Sequence, residues 1–211
     1  MGQTANRPEP IRGAPVAGSR PLSAAFIAAL ASSPCCPAVS TDEQFDTALL
    51  TPAEVLFVLR ANGLELGHLV GRAHERGKLV AVHLDLIAGL RSDRAAVGWL
   101  ARSGADAVIT SHGHLVAAIK KQSMVAVQRL LAAHRSQLAA GLASIARSEP
   151  DVIEFLPGVV LPQVRHLLPL MGPPMLAGGF VRSRDDVRAI LAAGALAVTT
   201  SREDLWGMSR E

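Results

Sequence analysis

The sequence predicts an α/β protein in which eight parallel strands close into a compact (β/α)8 barrel, the TIM-barrel fold. Short apolar runs of β-forming residues recur eight times, at a spacing of roughly 17 to 28 residues. Helical patterns separate these runs, and strands that alternate with helices are typical of a parallel sheet. A doubly wound open sheet usually has about five or six strands, and no G-x-G-x-x-G dinucleotide fingerprint follows any run. Eight strand–helix units therefore favour the closed barrel.

Each predicted strand is a run dominated by aliphatic and β-branched residues, as strands buried on both faces require. In chain order the runs are 38–39, 55–59, 79–84, 107–110, 124–127, 152–156, 175–177 and 196–199. Helical periodicity is clear before the sixth run, where Leu138, Leu142 and Ile145 recur at i, i+4 and i+7. It is also clear at 187–191, before the eighth run. We expect one more short helix, over 202–206, after the last strand.

The composition predicts a single globular domain behind a short tail. The chain has 211 residues, of which 49% are hydrophobic and 18% are charged. Residues 1–22 hold four prolines and three glycines, so we expect them to be a flexible tail and residues 23–211 to form the barrel. Two adjacent cysteines, Cys35 and Cys36, cannot staple a secreted scaffold, which predicts reduced thiols and a cytoplasmic protein. No stretch is long and apolar enough to predict a membrane span.

The positive charge of the chain is unevenly distributed. The formal net charge is +3, and the tail supplies two of these charges, with Arg7, Arg12 and Arg20 against Glu9. Between residues 107 and 148 there is no Asp or Glu. The basic residues of this stretch that we consider for contact with a polyanion are Lys120, Lys121, Arg135 and Arg147. Scattered basic residues often only solvate helix faces, and that alternative stays open.

Polar residues at three strand ends are candidates for binding a ligand, because barrel proteins place their chemistry at the C-terminal ends of the strands. Alternation along the third strand puts His83 and Asp85 on one face, where they could orient hydroxyl groups. Arg129 follows the fifth run and offers a planar charged fork to a carboxylate or a phosphate. Glu154 points into the barrel in the sixth strand, so it needs a partner. An internal ion pair between Arg129 and Glu154 is compatible with ligand contact.

The ends of the seventh and eighth strands predict a phosphate site. Gly178 and Gly179 end the seventh strand, and Thr200 and Ser201 end the eighth, just before the predicted short helix. Barrels often bind phosphate there through backbone N–H groups that glycine makes approachable. Ser201 with Asp204 would also fit a helix N-cap without any ligand. That alternative accounts for the serine but not for the two glycines.

The sequence offers little for catalysis. The pairs His112 with His114 and His68 with His74 lack the further ligands of a metal site, so we expect no metal and no cofactor. No G-x-S-x-G elbow occurs, and no lysine ends a predicted strand. We therefore assign no catalytic residue and expect a binding protein rather than an enzyme.

Several segments together resemble the glycerol-3-phosphate-responsive antiterminators, which regulate bacterial glycerol-uptake operons. The segments are HLDLIAGL at 83–90, the pair Gln128-Arg129, DVIEFLPGVV at 151–160, LAGGFVRS at 176–183 and AVTTSREDLW at 197–206. They occur in order and at matching spacing over roughly residues 34–206. The resemblance implies a (β/α)8 barrel that binds glycerol 3-phosphate and then acts on leader messenger RNA to prevent termination.

The resemblance also implies roles for individual residues. The phosphate would be held by Gly178, Gly179, Thr200 and Ser201. The glycerol would be recognised by His83, Asp85, Arg129 and Glu154. The charge distribution, rather than the resemblance, suggests the RNA surface: residues 107–148, the acid-free stretch, with Lys120, Lys121, Arg135 and Arg147 as candidates.

Two other functions stay open at the level of sequence. One is an isomerase, epimerase or aldolase of the same fold that acts on a phosphosugar, with Asp85 or Glu154 as general base. The other is a barrel that senses the phosphate and acts through a protein partner. The oligomeric state is open as well, with a homodimer as one form.

Overall fold

The computed structural model describes residues 21–168 and 172–210, and it confirms the predicted barrel. Eight parallel strands pair in chain order, and β1 pairs with both β2 and β8, which closes the sheet. The strands are β1 (Cys35–Val39), β2 (Val55–Val58), β3 (Leu79–His83), β4 (Ala107–Thr110), β5 (Val125–Leu131), β6 (Val152–Leu156), β7 (Met175–Gly178) and β8 (Val198–Thr200).

Helices connect the strands and cover the outside of the sheet. In the described residues they are α1 (Pro21–Ser32), α2 (Asp42–Leu49), α3 (Leu66–His74), α4 (Arg94–Arg102), α5 (Val116–Lys121), α6 (Arg135–Ser148), α7 (Leu161–Val164) and α8 (Arg184–Ala192). Short 3-10 turns follow several strands, and the predicted helix over 202–206 is such a turn, Glu203–Leu205. Side-chain caps begin four of the helices, because Thr41, Asp93, His134 and Ser183 each accept a hydrogen bond from a backbone N–H in the first turn.

The N-terminal end of the barrel is closed by α1. Phe26 and Leu30 are fully buried there, in one apolar cluster with the inward-facing residues of the strands. Only one face of α1 is buried, and alanines at the exposed positions Ala25, Ala28 and Ala31 leave the helix without a clear polar face. It begins at Pro21, two residues before the predicted start of the folded domain. Residues 1–20 of the predicted tail lie outside the described residues.

The sequence analysis made predictions about the two cysteines and about membrane spans, and the structure describes both. Cys35 and Cys36 are free and buried, and burial raises the pKa of their thiols to about 11 and about 12. Within residues 21–168 and 172–210, no helix combines the length and the apolar character that a membrane span needs.

Candidate ligand site at the C-terminal end of the barrel

The inward-facing positions change from apolar to polar towards the C-terminal ends of the strands. Ala81, Val127 and Val152 belong to the apolar interior cluster. Because side chains alternate along a strand, the residues two positions later also face inward. These residues are His83, Arg129 and Glu154, together with Thr199, which follows the interior Ala197 in β8. The polar end of the interior is the candidate site.

Arg129 and Glu154 form an ion pair inside this site. The two residues are paired in register between β5 and β6. Arg129 Nη2 and Nε lie 2.8 and 2.9 Å from Glu154 Oε2, and Thr199 Oγ1 donates to Glu154 Oε1 over 3.3 Å. The Glu154 side chain is 2% exposed and that of Arg129 is 16% exposed. Glu154 thus has partners on both oxygens, while the more exposed guanidinium stays within reach of a ligand in the mouth.

His83 is the residue whose environment is incomplete. Its side chain is buried, and neither ring nitrogen has a hydrogen-bond partner among the described residues. Burial, reinforced by the positive charge of Arg129, lowers the pKa of His83 from 6.5 to about 4. The imidazole is therefore neutral near pH 7, with one donor and one acceptor unused. Leaving such groups unpaired in the interior costs about 1–3 kcal/mol each, which a ligand hydroxyl could recover.

Asp85 is held by its surroundings. The third strand ends at His83, so Asp85 lies in the following 3-10 turn and not on the strand face that alternation predicted. Its carboxylate accepts hydrogen bonds from Thr110 Oγ1 and the Ser111 N–H, both over 2.8 Å, and from Ser92 Oγ over 3.0 Å. Burial would raise the pKa of Asp85, but these hydrogen bonds outweigh it and the pKa is lowered. The ionised carboxylate joins the loops after β3 and β4 at the rim of the site.

The two glycines of the predicted phosphate site are required by the local backbone. A Cβ on Gly178 would collide with the Thr199 hydroxyl across the β7–β8 pair. Gly179 has φ +85°, in the left-handed region, and a Cβ there would lie 3.2 Å from Leu156 Cδ2. The two glycines thus allow the end of β7 to pack closely against the ends of β6 and β8, with Gly178 buried and Gly179 half-buried.

The end of β8 differs from the N-cap alternative. The cap position of the 3-10 turn is Arg202 and no side chain caps it, whereas Asp204 pairs with Arg202 at 2.8 Å. Thr200 is buried, and its hydroxyl accepts from the Arg202 N–H over 3.1 Å. Ser201 is exposed and takes no part in capping, so its hydroxyl is available at the rim.

The structure separates the four basic candidates for RNA contact. Lys120, Lys121 and Arg147 lie at the ends of α5 and α6, and therefore at the N-terminal end of the barrel. Arg135 begins α6 at the C-terminal end, about 18 Å from Arg147 along the helix axis. The four residues thus do not form one compact patch.

The acid-free stretch is not uncompensated in three dimensions, which corrects the premise drawn from the sequence. Acidic residues from beyond the stretch approach it, because β6 lies beside β5. Lys120 Nζ donates to the Glu149 carbonyl and lies 4.0 Å from Asp151 Oδ1. Arg129 is paired with Glu154. Lys121, Arg135 and Arg147 are exposed.

Sequence reasoning missed two contributors to the site. Thr199 faces inward and contacts Glu154, which alternation from Ala197 in β8 could have predicted. Gln128 faces outward, where its side-chain amide bonds Ser144 and Ser148 of α6. The i, i+4 spacing of the two serines was a signal of a shared helix face. This buried network supports β5 on the side opposite Arg129.

The fold and this site define a (β/α)8 barrel with a polar mouth. No group of three metal-ligating side chains occurs in the described residues. Residues 35–206 match the family of glycerol-3-phosphate responsive antiterminators, and the chain belongs to this family. The resemblance seen in the sequence motifs is thereby confirmed.

Two solved structures of related proteins agree with this assignment. The glycerol uptake operon antiterminator regulatory protein from Listeria monocytogenes is 32% identical, with a TM-score of 0.77 over 82% of this chain and 94% of that one. A glycerol uptake operon antiterminator-related protein from Thermotoga maritima is 29% identical, with a TM-score of 0.75 over 83% and 99%. A deoxyribose phosphate aldolase from Aeropyrum pernix, 15% identical with a TM-score of 0.67 over 83% and 88%, shares only the fold.

Proposed function

We propose that this protein is a transcription antiterminator that binds glycerol 3-phosphate at the C-terminal end of its barrel and then binds the leader RNA of a glycerol-uptake operon. The proposal rests on the family to which the chain belongs. The single structural observation that carries the ligand site is His83, a buried imidazole without partners beside an arginine at the barrel mouth. Such a group is explained by a ligand that supplies the missing hydrogen bonds.

The two ends of the ligand would meet different parts of the mouth. Gly178, Gly179, Thr200 and Ser201 would hold the phosphate on the β7–β8 side. There the backbone N–H groups at the end of β7 would donate to the phosphate, together with the hydroxyl of the exposed serine. On the opposite side, the neutral His83 would accept from one hydroxyl and donate to another. Asp85, Arg129 and Glu154 would complete that polar wall.

Arg129 is suited to contact both the glycerol and the phosphate end of the ligand. Its guanidinium spends two N–H groups on Glu154, which leaves donors for the ligand. Glu154 fixes the orientation of the guanidinium and neutralises its charge inside the barrel. We expect a dianionic phosphate ester to bind more tightly than glycerol for this reason.

The RNA-binding step needs exposed positive charge. The candidates remain Lys120, Lys121, Arg135 and Arg147, which the structure divides between the two ends of the barrel. Three of them are exposed, and Lys120 is already engaged near Glu149 and Asp151. Arg135 is the one on the same face as the ligand mouth.

The enzyme alternative is weakened by the environments of its two candidate bases. A general base needs a pKa near the working pH. Asp85 has its pKa lowered by three hydrogen bonds, and Glu154 is committed to Arg129 and Thr199. The three lysines of the chain are also far from the mouth, since Lys78 precedes β3 and Lys120 and Lys121 end α5. We therefore expect no turnover of triose or hexose phosphates, and activity lost in Asp85→Asn or Glu154→Gln would favour an enzyme.

The ligand site is tested by thermal and calorimetric titration with glycerol 3-phosphate, glycerol and inorganic phosphate. Glycerol 3-phosphate at 100 times its dissociation constant should add about 2.7 kcal/mol of apparent stability. Gly179→Val should abolish this gain. Gly77→Val is the matched control, because Gly77 also has a positive φ, +69°, and lies before β3 at the other end of the barrel. An equal response to glycerol and glycerol 3-phosphate, or an equal loss in both variants, would remove the phosphate site.

The regulatory step is tested by the mobility of leader RNA from the host's glycerol-uptake operon in native gels. We expect a protein–RNA complex that forms with glycerol 3-phosphate and not with glycerol. Binding of the ligand without any effect on RNA binding would favour a sensor that acts through a protein partner.

A further inference from the structure

Phe180 is exposed where the other phenylalanines are buried. Four of the five, Phe26, Phe45, Phe57 and Phe155, are at most 1% exposed, whereas Phe180 is 72% exposed. It follows Gly179 in the loop after β7, at the mouth of the barrel. In a chain so poor in aromatic residues, an aromatic side chain that contributes nothing to the core calls for another explanation.

The backbone at Phe180 is strained as well. Its φ is +59°, so two successive residues, Gly179 and Phe180, adopt positive φ values. A bulky residue is an outlier in this region, and the conformation costs roughly 1–2 kcal/mol compared with glycine. Neither burial nor backbone preference accounts for a phenylalanine here, and such strain concentrates at binding sites.

Two arginines accompany Phe180 in the same loop. In the segment from Phe180 to Arg184, Val181 packs inward and Ser183 caps α8, whereas Arg182 and Arg184 are exposed. The loop therefore presents an aromatic ring and two guanidinium groups to solvent.

The acidic residues near this loop are engaged elsewhere. Asp186 accepts hydrogen bonds from two backbone N–H groups in the loop, and Asp185 pairs with Arg188. Asp204 pairs with Arg202, and the more distant Arg184 contributes only the weakest of the effects that lower its pKa. The guanidinium groups of Arg182 and Arg184 thus form no ion pair in the described part of the chain.

We propose that Phe180 stacks on a base of the bound RNA while Arg182 and Arg184 contact the flanking phosphates. The inference rests on the proposed function and assigns the RNA surface to the loop after β7. Single-stranded RNA is recognised by unstacked bases that lie on aromatic rings, with positive side chains along the backbone. A single exposed ring suffices for this contact.

The same loop provides the link to the ligand. Phe180 directly follows the two glycines that would carry the phosphate of glycerol 3-phosphate. A phosphate on the Gly179 N–H would select one backbone conformation of the Gly179–Phe180 pair, and with it one position of the ring. RNA binding would then depend on the ligand through two adjacent residues.

The experiment measures fluorescence anisotropy of the labelled leader RNA with the full chain at saturating glycerol 3-phosphate. Phe180→Ala should weaken RNA binding roughly 5- to 150-fold, the range for loss of one stacked base. Phe180→Trp should retain the affinity, and Phe180→Leu, which keeps an apolar side chain without a π-face, should lose it. Leu50→Ala is the matched control, because Leu50 is 78% exposed at the end of α2 and far from the mouth.

Three results would overturn the inference. Wild-type affinity in Phe180→Leu would mean that the ring serves as a general apolar contact, as in an interface with a protein or with a second copy of the chain. A parallel loss of affinity for glycerol 3-phosphate would make Phe180 a cover of the ligand site. Wild-type RNA affinity in Phe180→Ala would exclude the stacking contact but leave the proposed function standing. If the unsubstituted protein does not bind the leader RNA at all, the proposed function fails as well.

Discussion

The two ends of the barrel interior use the same strand geometry for opposite purposes. At the N-terminal end, inward-facing side chains such as Val55, Ala107 and Val125 form one apolar cluster with Phe26 and Leu30 of α1. At the C-terminal end, the same strand alternation places the polar side chains of His83, Arg129 and Glu154 at the mouth. The N-terminal end thus contributes apolar packing to stability, whereas the C-terminal end contains polar groups to which a ligand can hydrogen-bond.

This separation predicts that the same substitution, Phe to Ala, changes stability far more at the closed end than at the mouth. Phe26→Ala should lower the free energy of unfolding by about 3–5 kcal/mol, because it opens a cavity in the closed end of the barrel. Phe180→Ala removes the same atoms from an exposed ring and should change it by no more than about 0.5 kcal/mol. Urea unfolding of both variants measures the difference.

Ligand titration of Phe26→Ala tests whether the closed end of the barrel affects ligand binding at the mouth. Phe26→Ala should retain the dissociation constant for glycerol 3-phosphate under conditions where it is folded. If that variant lost its ligand affinity, the two ends of the interior would be coupled and the separation would be wrong.

A pH titration of stability should reveal the unpartnered histidine. The pKa of His83 is lowered to about 4 in the folded protein, so below pH 6.5 the unfolded chain binds a proton that the folded chain refuses. His83 therefore contributes no pH dependence above about pH 6.5, and stability falls as the pH drops towards 4. The expected loss between pH 7 and pH 5 is about 2 kcal/mol.

The control for this titration is His83→Leu, which should be less dependent on pH by that amount. Saturating glycerol 3-phosphate should preserve the wild-type dependence if the ligand bonds the neutral imidazole. A wild-type profile that is flat between pH 7 and pH 5 would mean that water or a proton reaches His83 in the folded state.

The strands were predictable from sequence because their side chains are buried on both faces. Seven of the predicted runs end within two residues of the observed strands. β5 continues to Leu131, four residues past its predicted end, since polar Gln128 and charged Arg129 hide strand character from an apolar pattern. The helix that closes the barrel was missed for a related reason, because it precedes the first strand and shows no amphipathic period.

The individual site residues were found to the extent that alternation applies. The ion pair between Arg129 and Glu154, which the sequence left as one alternative, is present in the structure. Asp85 was placed on the strand face with His83, but alternation cannot tell where a strand ends, and the 3-10 turn moves Asp85 to the rim. Counting charges along the sequence was also insufficient, because Asp151 and Glu154 lie beyond the acid-free stretch in sequence but approach its basic residues in the folded sheet.

The smallest expected effect compares Arg135, at the start of α6, with Lys121, at the end of α5, and it tests which end of the barrel binds RNA. Arg135→Glu should lower the slope of log affinity against log salt by roughly 0.7–0.9, the value of one phosphate contact. Lys121→Glu should lower it less, because Lys121 lies at the end opposite the ligand mouth. The two substitutions should change stability in opposite directions. A glutamate in the first turn of α6 should make Arg135→Glu more stable by about 0.3–1 kcal/mol, and a glutamate in the last turn of α5 should make Lys121→Glu less stable by a similar amount. A more stable Arg135→Glu protein with weaker RNA binding would therefore report contact and not misfolding. A larger slope change in Lys121→Glu would instead place the RNA at the N-terminal end, and removal of residues 1–20, with Arg7, Arg12 and Arg20, would then be expected to weaken binding further.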